Sequence, residues 1–145
     1  MDYGFPWMWN DSVTKQVGES DPDEFQFIHK FYDPLCGVMS SYPRWKEIIK
    51  PFADYMNPIS LMRIKANLNV ATTEHITREF HTDFTVKCTT AIAYINDNNG
   101  YTLFEDGTKV QSKENRVVIF DSQIRHAGIP CTDEKRRVVI NFNFI

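Results

Sequence analysis

The sequence of 145 residues has no long hydrophobic run. No stretch approaches the roughly 20 apolar residues that a membrane-spanning helix requires. Its first residues, MDYGFPWMWNDSV, lack the basic start and the apolar stretch of an export signal. A membrane partner is therefore not indicated, and we expect a cytoplasmic location.

Cysteines are few, and basic residues are fewer than acidic ones. The three cysteines, Cys36, Cys88 and Cys131, are an odd number at wide spacing, which argues against a disulfide framework and against a cysteine-based zinc site. The formal net charge is −3, and the basic residues are scattered except at residues 135–137. The charge therefore gives no support to a nucleic-acid partner.

The length and the absence of internal repeats predict one domain over residues 1–145. Residues 1–57 carry helical signals and are expected to support a β core formed by residues 58–145. The core would be stable without disulfides or oligomerisation, because a chain of this size buries roughly 70% of its unfolded surface. The sequence leaves the oligomeric state undetermined.

Two helices are predicted in the first part of the chain. Ser20, Asp21 and Pro22 have the composition of a helix cap and first turn, and an apolar pattern over residues 24–31 follows them. This predicted helix would pack His29 among the neighbouring aromatic side chains Phe27, Phe31 and Tyr32. Residues 45–56 show helical spacing again, with Pro51 expected to bend or restart the second helix.

From Ile59 onward the pattern changes to alternation and short apolar runs, which predicts at least five strands. The runs are LMRIKANLNV, FTVKCTTAIAYI, YTLFE, RVVIF and RRVVINFNFI. Residues 97–100 and 105–107 tolerate positive φ, as tight hairpins require, so neighbouring strands should be antiparallel. The predicted fold is α+β and mainly β: a jelly-roll, or double-stranded β-helix, with N-terminal helices packed on one sheet.

Two histidines and one aspartate form a candidate metal site. His81 and Asp83 are two residues apart, and in a strand this spacing places both side chains on the same side. His126 follows the apolar run 116–120, where a strand would end at a rim. Two imidazoles and one carboxylate leave three positions of an octahedral metal open, which is the arrangement of non-heme iron(II) oxygenases.

A simpler interpretation remains open on the residues alone, in which Asp83 is a turn residue and His126 bonds to backbone. A further feature is the pair Arg136 and Arg137, at the start of the last predicted strand. A guanidinium suits a dicarboxylate ligand, because its fixed donors match a carboxylate in two parallel hydrogen bonds. Successive strand residues face opposite sides, so periodicity does not choose between the two arginines, and a solvated pair is also open.

The region from Ser60 to the C-terminus resembles the 2-oxoglutarate/Fe(II)-dependent dioxygenase superfamily, within it the prolyl-4-hydroxylase-like group with its short phage and marine microbial forms. The segment HTD at residues 81–83 resembles the family's His-x-Asp motif, and His126 resembles its distal iron histidine. The closing segment RVVINF resembles the family's last strand, which implies that Arg137 rather than Arg136 binds the co-substrate. In AIAYIND, Tyr94 resembles a tyrosine that helps to hold the distal carboxylate of 2-oxoglutarate.

The resemblance implies a hydroxylase in which His81, Asp83 and His126 bind Fe(II), with Arg137 and Tyr94 at the 5-carboxylate of 2-oxoglutarate. Oxygen would be the co-substrate, with ascorbate as an auxiliary reductant, and succinate and CO2 would be released. The implied substrate is a prolyl or other amino acid residue, and a phage-encoded form would act in the host cytoplasm. Lys65 or Asn67 would enter the same cavity from the preceding strand.

Other functions are compatible with the sequence. The same chemistry could act on a nucleobase or a small metabolite. A cupin-like protein could bind a metal without activating oxygen, and a silent domain could retain only the fold. We interpret His75 as a solvated loop residue. The aromatic start of the chain, with Phe5, Trp7 and Trp9, is expected to cover one face of the β structure rather than to bind a partner.

Overall fold

The structure is a computed structural model that describes residues 4–10 and 25–145. Its elements in chain order are β1 (Met8–Asn10), β2 (Gln26–Asp33), a 3-10 turn (Pro34–Cys36), β3 (Val38–Met39), α1 (Trp45–Met56), β4 (Leu61–Val70), β5 (Thr89–Tyr94), β6 (Tyr101–Phe104), β7 (Lys109–Gln111), β8 (Val117–Asp121), β9 (His126–Ile129) and β10 (Arg136–Phe144).

The strands form two antiparallel sheets. The larger sheet has the order β1-β2-β4-β10-β5-β8, with β3 paired to the edge of β2, and the smaller sheet has the order β7-β6-β9. The order does not follow the sequence, because β10 lies between β4 and β5. This arrangement confirms the predicted jelly-roll, with all pairs among the described strands antiparallel.

The helix predicted over residues 24–31 is wrong where the structure describes it. Residues 26–33 form β2, which pairs with β1, β3 and β4. The aromatic side chains of this segment fit both periodicities, and the sheet edge offered by β4 decides between them. The predicted cap, Ser20, Asp21 and Pro22, lies outside the described residues.

The second predicted helix is confirmed as α1. Pro51 lies inside it without interrupting it. The helix ends at Met56 and is capped by Asn57, which has a left-handed conformation and whose N–H bonds to the Ala53 carbonyl. The helix buries Ile49 and sets Phe52 against Phe142 of the large sheet, with ring centroids 5.8 Å apart. Within the described ranges, no helix has the length and apolar character needed to cross a membrane.

The large sheet has two different faces. One face packs on α1 and on Phe5, and it forms the main apolar core. The opposite face looks toward the small sheet and carries a smaller apolar cluster of Ile92, Tyr94 and Val139. Val118 and Phe120 of β8 pack against this cluster. The other positions of β4 and β10 on this face are polar, and a cavity lies there between the sheets.

The two predicted turns have different outcomes. Gly107 has φ +89° and its N–H bonds to the Phe104 carbonyl, so residues 105–107 form the hairpin between β6 and β7. Residues 97–100 instead link β5 of the large sheet to β6 of the small sheet, so they do not close a hairpin. The three cysteines form no disulfide.

Candidate metal centre

The side chains of His81, Asp83 and His126 converge at one end of the cavity. One ligand atom from each lies within 4.8 Å of the others. His81 Nε2 is 3.9 Å from Asp83 Oδ1, and His126 Nε2 is 3.7 Å from Asp83 Oδ2. These separations suit three donors that face a common point, since a metal ion bonds to nitrogen and oxygen ligands at about 2 Å.

Backbone pairing brings the two histidines together. The N–H of each bonds to the carbonyl of the other, both at 3.0 Å, as an isolated antiparallel bridge. His81 Nδ1 lies 3.3 Å from the Glu79 carbonyl, and His126 Nδ1 lies 3.2 Å from the Ile124 carbonyl. An N–H at Nδ1 in each ring therefore leaves Nε2 with its lone pair directed to the shared point.

The local structure around these ligands differs from the prediction in two respects. Residues 82–88 form no strand, and His81 has only its bridge to His126, so strand alternation is the wrong reason for the convergence of His81 and Asp83. The predicted strand before His126 is present as β8, which ends at Asp121, but His126 itself is the first residue of β9 in the small sheet. The site is thus built where an irregular segment crosses the start of β9.

His126 is 3% exposed and packs its ring against Phe120, with centroids 5.0 Å apart. Burial lowers the pKa of His126 below its ordinary value, although the nearby carboxylate of Asp83 acts in the opposite direction. A neutral imidazole is the form that binds a metal, so this environment prepares His126 to act as a ligand.

Arg137 enters the same cavity from β10 and is 2% exposed. Its Nε donates to Ser112 Oγ at 2.9 Å, and its Nη2 donates to Thr102 Oγ1 at 3.1 Å. Arg136 lies on the outer side of the strand and is exposed. The fold thus separates the two arginines that periodicity alone could not distinguish.

Tyr94 lies beside Arg137 but does not line the cavity. The Arg137 guanidinium is 5.6 Å from the centroid of the Tyr94 ring, and the Tyr94 hydroxyl lies 2.7 Å from Thr102 Oγ1. Burial raises the pKa of Tyr94, which keeps the phenol neutral. Thr102 therefore stands between the tyrosine and the cavity.

Several polar residues in or beside the cavity were not identified from the sequence. Thr102, Ser112 and Asn141 contact Arg137 or Asp83, but no motif marked them. A useful signal was available, since polar residues alternate through the otherwise apolar strands β4 and β10. Lys65 and Asn67, both named as candidates, do line the cavity.

Gly100 makes room for Arg137, whereas a side chain on Gly128 would only reach ordinary van der Waals contact with it. A Cβ on Gly100 would lie 2.8 Å from Arg137 Cδ and 2.8 Å from the Ile129 carbonyl oxygen, and a Cβ on Gly128 would lie 3.4 Å from Arg137 Nη1. The φ of Gly100 is not positive, so close approach rather than a turn explains this glycine.

The residues fit an iron(II) and 2-oxoglutarate site. The donor set has two imidazoles and a carboxylate with no thiolate, as non-heme iron requires. None of the ion pairs among residues 4–10 and 25–145 involves Arg137, although its side chain is buried. A buried cation requires a compensating anion, and the carboxylate of a ligand in the cavity would supply it.

The remaining candidates lie away from the metal centre. His75 is exposed, its Nε2 lies 3.3 Å from Asn99 Oδ1 and its ring contacts Tyr101. His29 is buried in β2 with its ring against Phe31, so the predicted aromatic contact is present although the predicted helix is not. Phe5 and Trp7 pack on the outer core as expected, whereas Trp9 is 56% exposed.

No family model and no curated protein sequence matches the chain. Solved structures do match it. An oxidoreductase of the 2OG-Fe(II) oxygenase family from Burkholderia pseudomallei aligns with a TM-score of 0.69 at 11% identity, over 97% of this chain and 73% of that one. A prolyl hydroxylase from Trichoplax adhaerens aligns with a TM-score of 0.57 at 14% identity, over 82% of this chain and 62% of that one.

A viral collagen prolyl hydroxylase from Paramecium bursaria Chlorella virus-1 also aligns, with a TM-score of 0.54 at 12% identity, over 81% of this chain and 78% of that one. The fold of the protein is therefore the jelly-roll shared by 2OG-Fe(II) oxygenases and prolyl hydroxylases. The resemblance to this superfamily, stated above from motifs, is confirmed at the level of the fold.

Proposed function

We propose that the protein is a 2-oxoglutarate- and Fe(II)-dependent dioxygenase that hydroxylates an unactivated C–H bond of a prolyl or other amino acid residue. The observation that carries the proposal is one cavity with two chemically distinct ends. One end holds the three converging ligand atoms of His81, Asp83 and His126. The other holds the buried guanidinium of Arg137, for which the described residues provide no carboxylate partner.

Each residue has a defined task in this proposal. His81, Asp83 and His126 would hold Fe(II) by three positions and leave three open. Iron bound there would, with 2-oxoglutarate and oxygen, supply the oxidising chemistry that yields a hydroxylated product, succinate and CO2. Arg137 would bind the 5-carboxylate, because its fixed N–H donors match the two oxygens and burial strengthens the interaction.

Neighbouring groups would orient the arginine. Ser112 and Thr102 accept hydrogen bonds from two of its nitrogens, and the face of Tyr94 lies beneath the guanidinium. Tyr94 thus supports the carboxylate site through Thr102 and through the cation–π contact rather than by direct contact with the cavity. Burial also excludes water from this end of the site.

The choice of substrate class is supported by the structural comparisons and by charge. The matching Trichoplax structure holds a peptide fragment, and the matching viral protein is described as a collagen prolyl hydroxylase. The net charge of −3 does not favour a polyanionic substrate. We therefore propose a peptidyl substrate over a nucleobase.

The test is succinate formation by purified protein supplied with Fe(II), 2-oxoglutarate, oxygen and ascorbate, with and without proline-containing peptides. We expect succinate from the wild-type protein, more of it with an accepted peptide, and a mass increase of one oxygen on that peptide. His81→Ala and Asp83→Ala should abolish both signals, whereas His75→Ala, which changes a histidine outside the cavity, should not. Folded, iron-loaded wild-type protein that neither binds 2-oxoglutarate nor forms succinate would contradict the proposal.

A further inference from the structure

Asp83 lacks the support that a ligand on a strand would have. His81 is held by its backbone bridge to His126, but the chain then runs through residues 82–88 without strand structure. The carboxylate of Asp83 is nevertheless almost fully buried, with 5% of its side chain exposed. Side chains from the large sheet must therefore fix its position.

Two such side chains bind Asp83 from two different strands. Asn141 of β10 donates from Nδ2 to Asp83 Oδ2 at 2.8 Å. Arg63 of β4 donates from Nη2 to the backbone carbonyl of Asp83 at 2.7 Å, and the same nitrogen lies 3.7 Å from Asp83 Oδ1. Arg63 thus holds the main chain of the ligand, and Asn141 holds one oxygen of its carboxylate.

Arg63 is itself fixed by the sheet. Its Nε donates to Asn143 Oδ1 at 3.1 Å, and Asn143 Nδ2 donates to Thr90 Oγ1 at 2.9 Å. The guanidinium also lies over the ring of Phe84, 5.4 Å from its centroid. A chain of hydrogen bonds therefore connects three neighbouring strands, β5, β10 and β4, to the segment that carries Asp83.

The bond from Asn141 also defines the chemistry that Asp83 can offer. A carboxylate only accepts hydrogen bonds, so the group of Asn141 that contacts it is the amide NH2, and its carbonyl oxygen points elsewhere. That Oδ1 atom is buried and has no partner in the described part of the chain. The N–H bond occupies a lone pair of Asp83 Oδ2 and opposes ligation of a metal by both oxygens of the carboxylate.

We propose that Arg63 and Asn141 are positioning residues that hold Asp83 as a one-oxygen metal ligand, with Asn143 fixing Arg63. This inference rests on the proposed function, because it concerns the same metal ligands. One-oxygen ligation keeps three coordination positions open, which the proposed co-substrates require. Hydrogen-bond partners of metal ligands typically change metal affinity by about 10- to 100-fold when they are removed.

The test is a titration of the protein with Mn²⁺, an ion that accepts this donor set and remains stable in air. Binding is measured as the loss of the electron paramagnetic resonance signal of free Mn²⁺. Arg63→Met and Asn141→Ala should each weaken binding by about 10- to 100-fold. Arg63→Lys should weaken it less, because a charge remains near Asp83 although the second nitrogen that bonds to Asn143 is lost. Asn143→Leu should weaken it without removing any group that touches Asp83.

The control is Arg136→Met, which removes a strand arginine of β10 that faces away from the cavity, and it should bind Mn²⁺ as tightly as the wild type. Thermal unfolding without metal establishes that each variant is folded, which separates a positioning effect from a general loss of structure. Wild-type affinity in folded Arg63→Met and Asn141→Ala would overturn the inference and leave the proposed function intact. A wild-type protein that binds neither Mn²⁺ nor Fe²⁺ would overturn both.

Discussion

The two faces of the large sheet are built from the same strands but have opposite chemistry. The face toward α1 presents small and large apolar side chains that are almost fully buried, namely Ile64, Ala66, Ala91, Ala93, Ile140 and Phe142. Apart from Val139, the alternating positions of β4 and β10 that face the small sheet carry polar or charged side chains, namely Arg63, Lys65, Asn67, Asn69, Arg137, Asn141 and Asn143.

The difference shows how one sheet can provide both stability and a site. Strand alternation places neighbouring residues on opposite faces, so a buried apolar face does not restrict what the other face carries. Burial of polar groups is costly unless they are paired. On the cavity face, Asn143 bonds to Arg63 and Thr90, whereas Asn141 bonds to Asp83 and Arg137 bonds to Thr102 and Ser112. Asn141 Oδ1 and Asn67 Oδ1 are buried and have no hydrogen-bond partner within the described ranges.

The largest expected effect is on the apolar face. Phe142→Ala should lower the free energy of unfolding by about 3–5 kcal/mol, because it removes a fully buried ring that contacts Phe52 and leaves a cavity. Urea unfolding of the metal-free protein measures this loss. The Mn²⁺ affinity of the protein that remains folded should be unchanged, and a loss below about 1 kcal/mol would contradict the assignment of this face as the main core.

A substitution on the cavity face should reduce ligand affinity while hardly changing the free energy of unfolding. Arg137→Met should reduce affinity for 2-oxoglutarate by about 30-fold or more, since loss of one partner of a buried charge pair costs about 2–5 kcal/mol. The free energy of unfolding without ligand should hardly fall, because an unpaired buried cation contributes little stability and an apolar side chain of similar length can replace it. Calorimetric titration without oxygen measures the affinity.

Two variants sharpen the result at Arg137. Arg137→Lys should retain part of the affinity because it keeps the charge but loses the paired donors. Arg136→Met, on the exposed side of β10, should bind 2-oxoglutarate as the wild type does. Equal affinity in Arg137→Met and wild type would show that the carboxylate binds elsewhere.

A smaller effect is expected at acidic pH, where one buried histidine on each side of the large sheet should lower the free energy of unfolding. Burial lowers the pKa of His29, on the apolar side, and the pKa of His126, on the cavity side, below the ordinary value of 6.5. Below that pH the unfolded chain takes up protons at these histidines before the folded protein does. The free energy of unfolding of the metal-free protein should therefore be constant above about pH 6.5 and fall as pH decreases below it.

The contributions of the two histidines to this pH dependence can be distinguished by measuring the urea midpoints of single variants at neutral and acidic pH. His29 Nδ1 lies 2.9 Å from the Pro6 carbonyl and Nε2 lies 2.8 Å from Ser40 Oγ, so the neutral ring satisfies both neighbours. His29→Gln should reduce the decrease in stability on acidification, and His126→Gln should reduce it independently. Stability that rises on acidification would contradict the burial of these rings as their dominant influence.

The β part of the fold could be predicted because alternation in β4 and β10 is long and is bounded by turn residues. The strand β2 was not predicted, because its segment was interpreted as a helix. Phe25, Phe27 and Phe31 are consistent with alternation, but the surrounding apolar residues also fit a helix, and only pairing with β4 settles the choice. Such pairing joins residues that are distant in sequence, which a local pattern does not contain.

Some residues of the candidate site could also be predicted from the sequence, and others could not. His81, Asp83 and His126 could be proposed because residue type and spacing indicate a metal site, and Arg137 because the resemblance to the dioxygenase superfamily selected it over Arg136. Thr102 and Asn141 could not, since their importance comes from the register that sets them beside Arg137 and Asp83. Gly100 was assigned to a turn, whereas the structure shows that a side chain there would collide with Arg137.

The central claim is that the cavity binds Fe(II) at one end and the far carboxylate of 2-oxoglutarate at the other. The most direct measurement is the visible absorption spectrum of the protein with Fe(II) and 2-oxoglutarate without oxygen. We expect a charge-transfer band that is absent with Fe(II) alone, is lost in Asp83→Ala and needs far more 2-oxoglutarate in Arg137→Met. Folded protein that binds Fe(II) but shows no such band at any concentration of 2-oxoglutarate would contradict the claim.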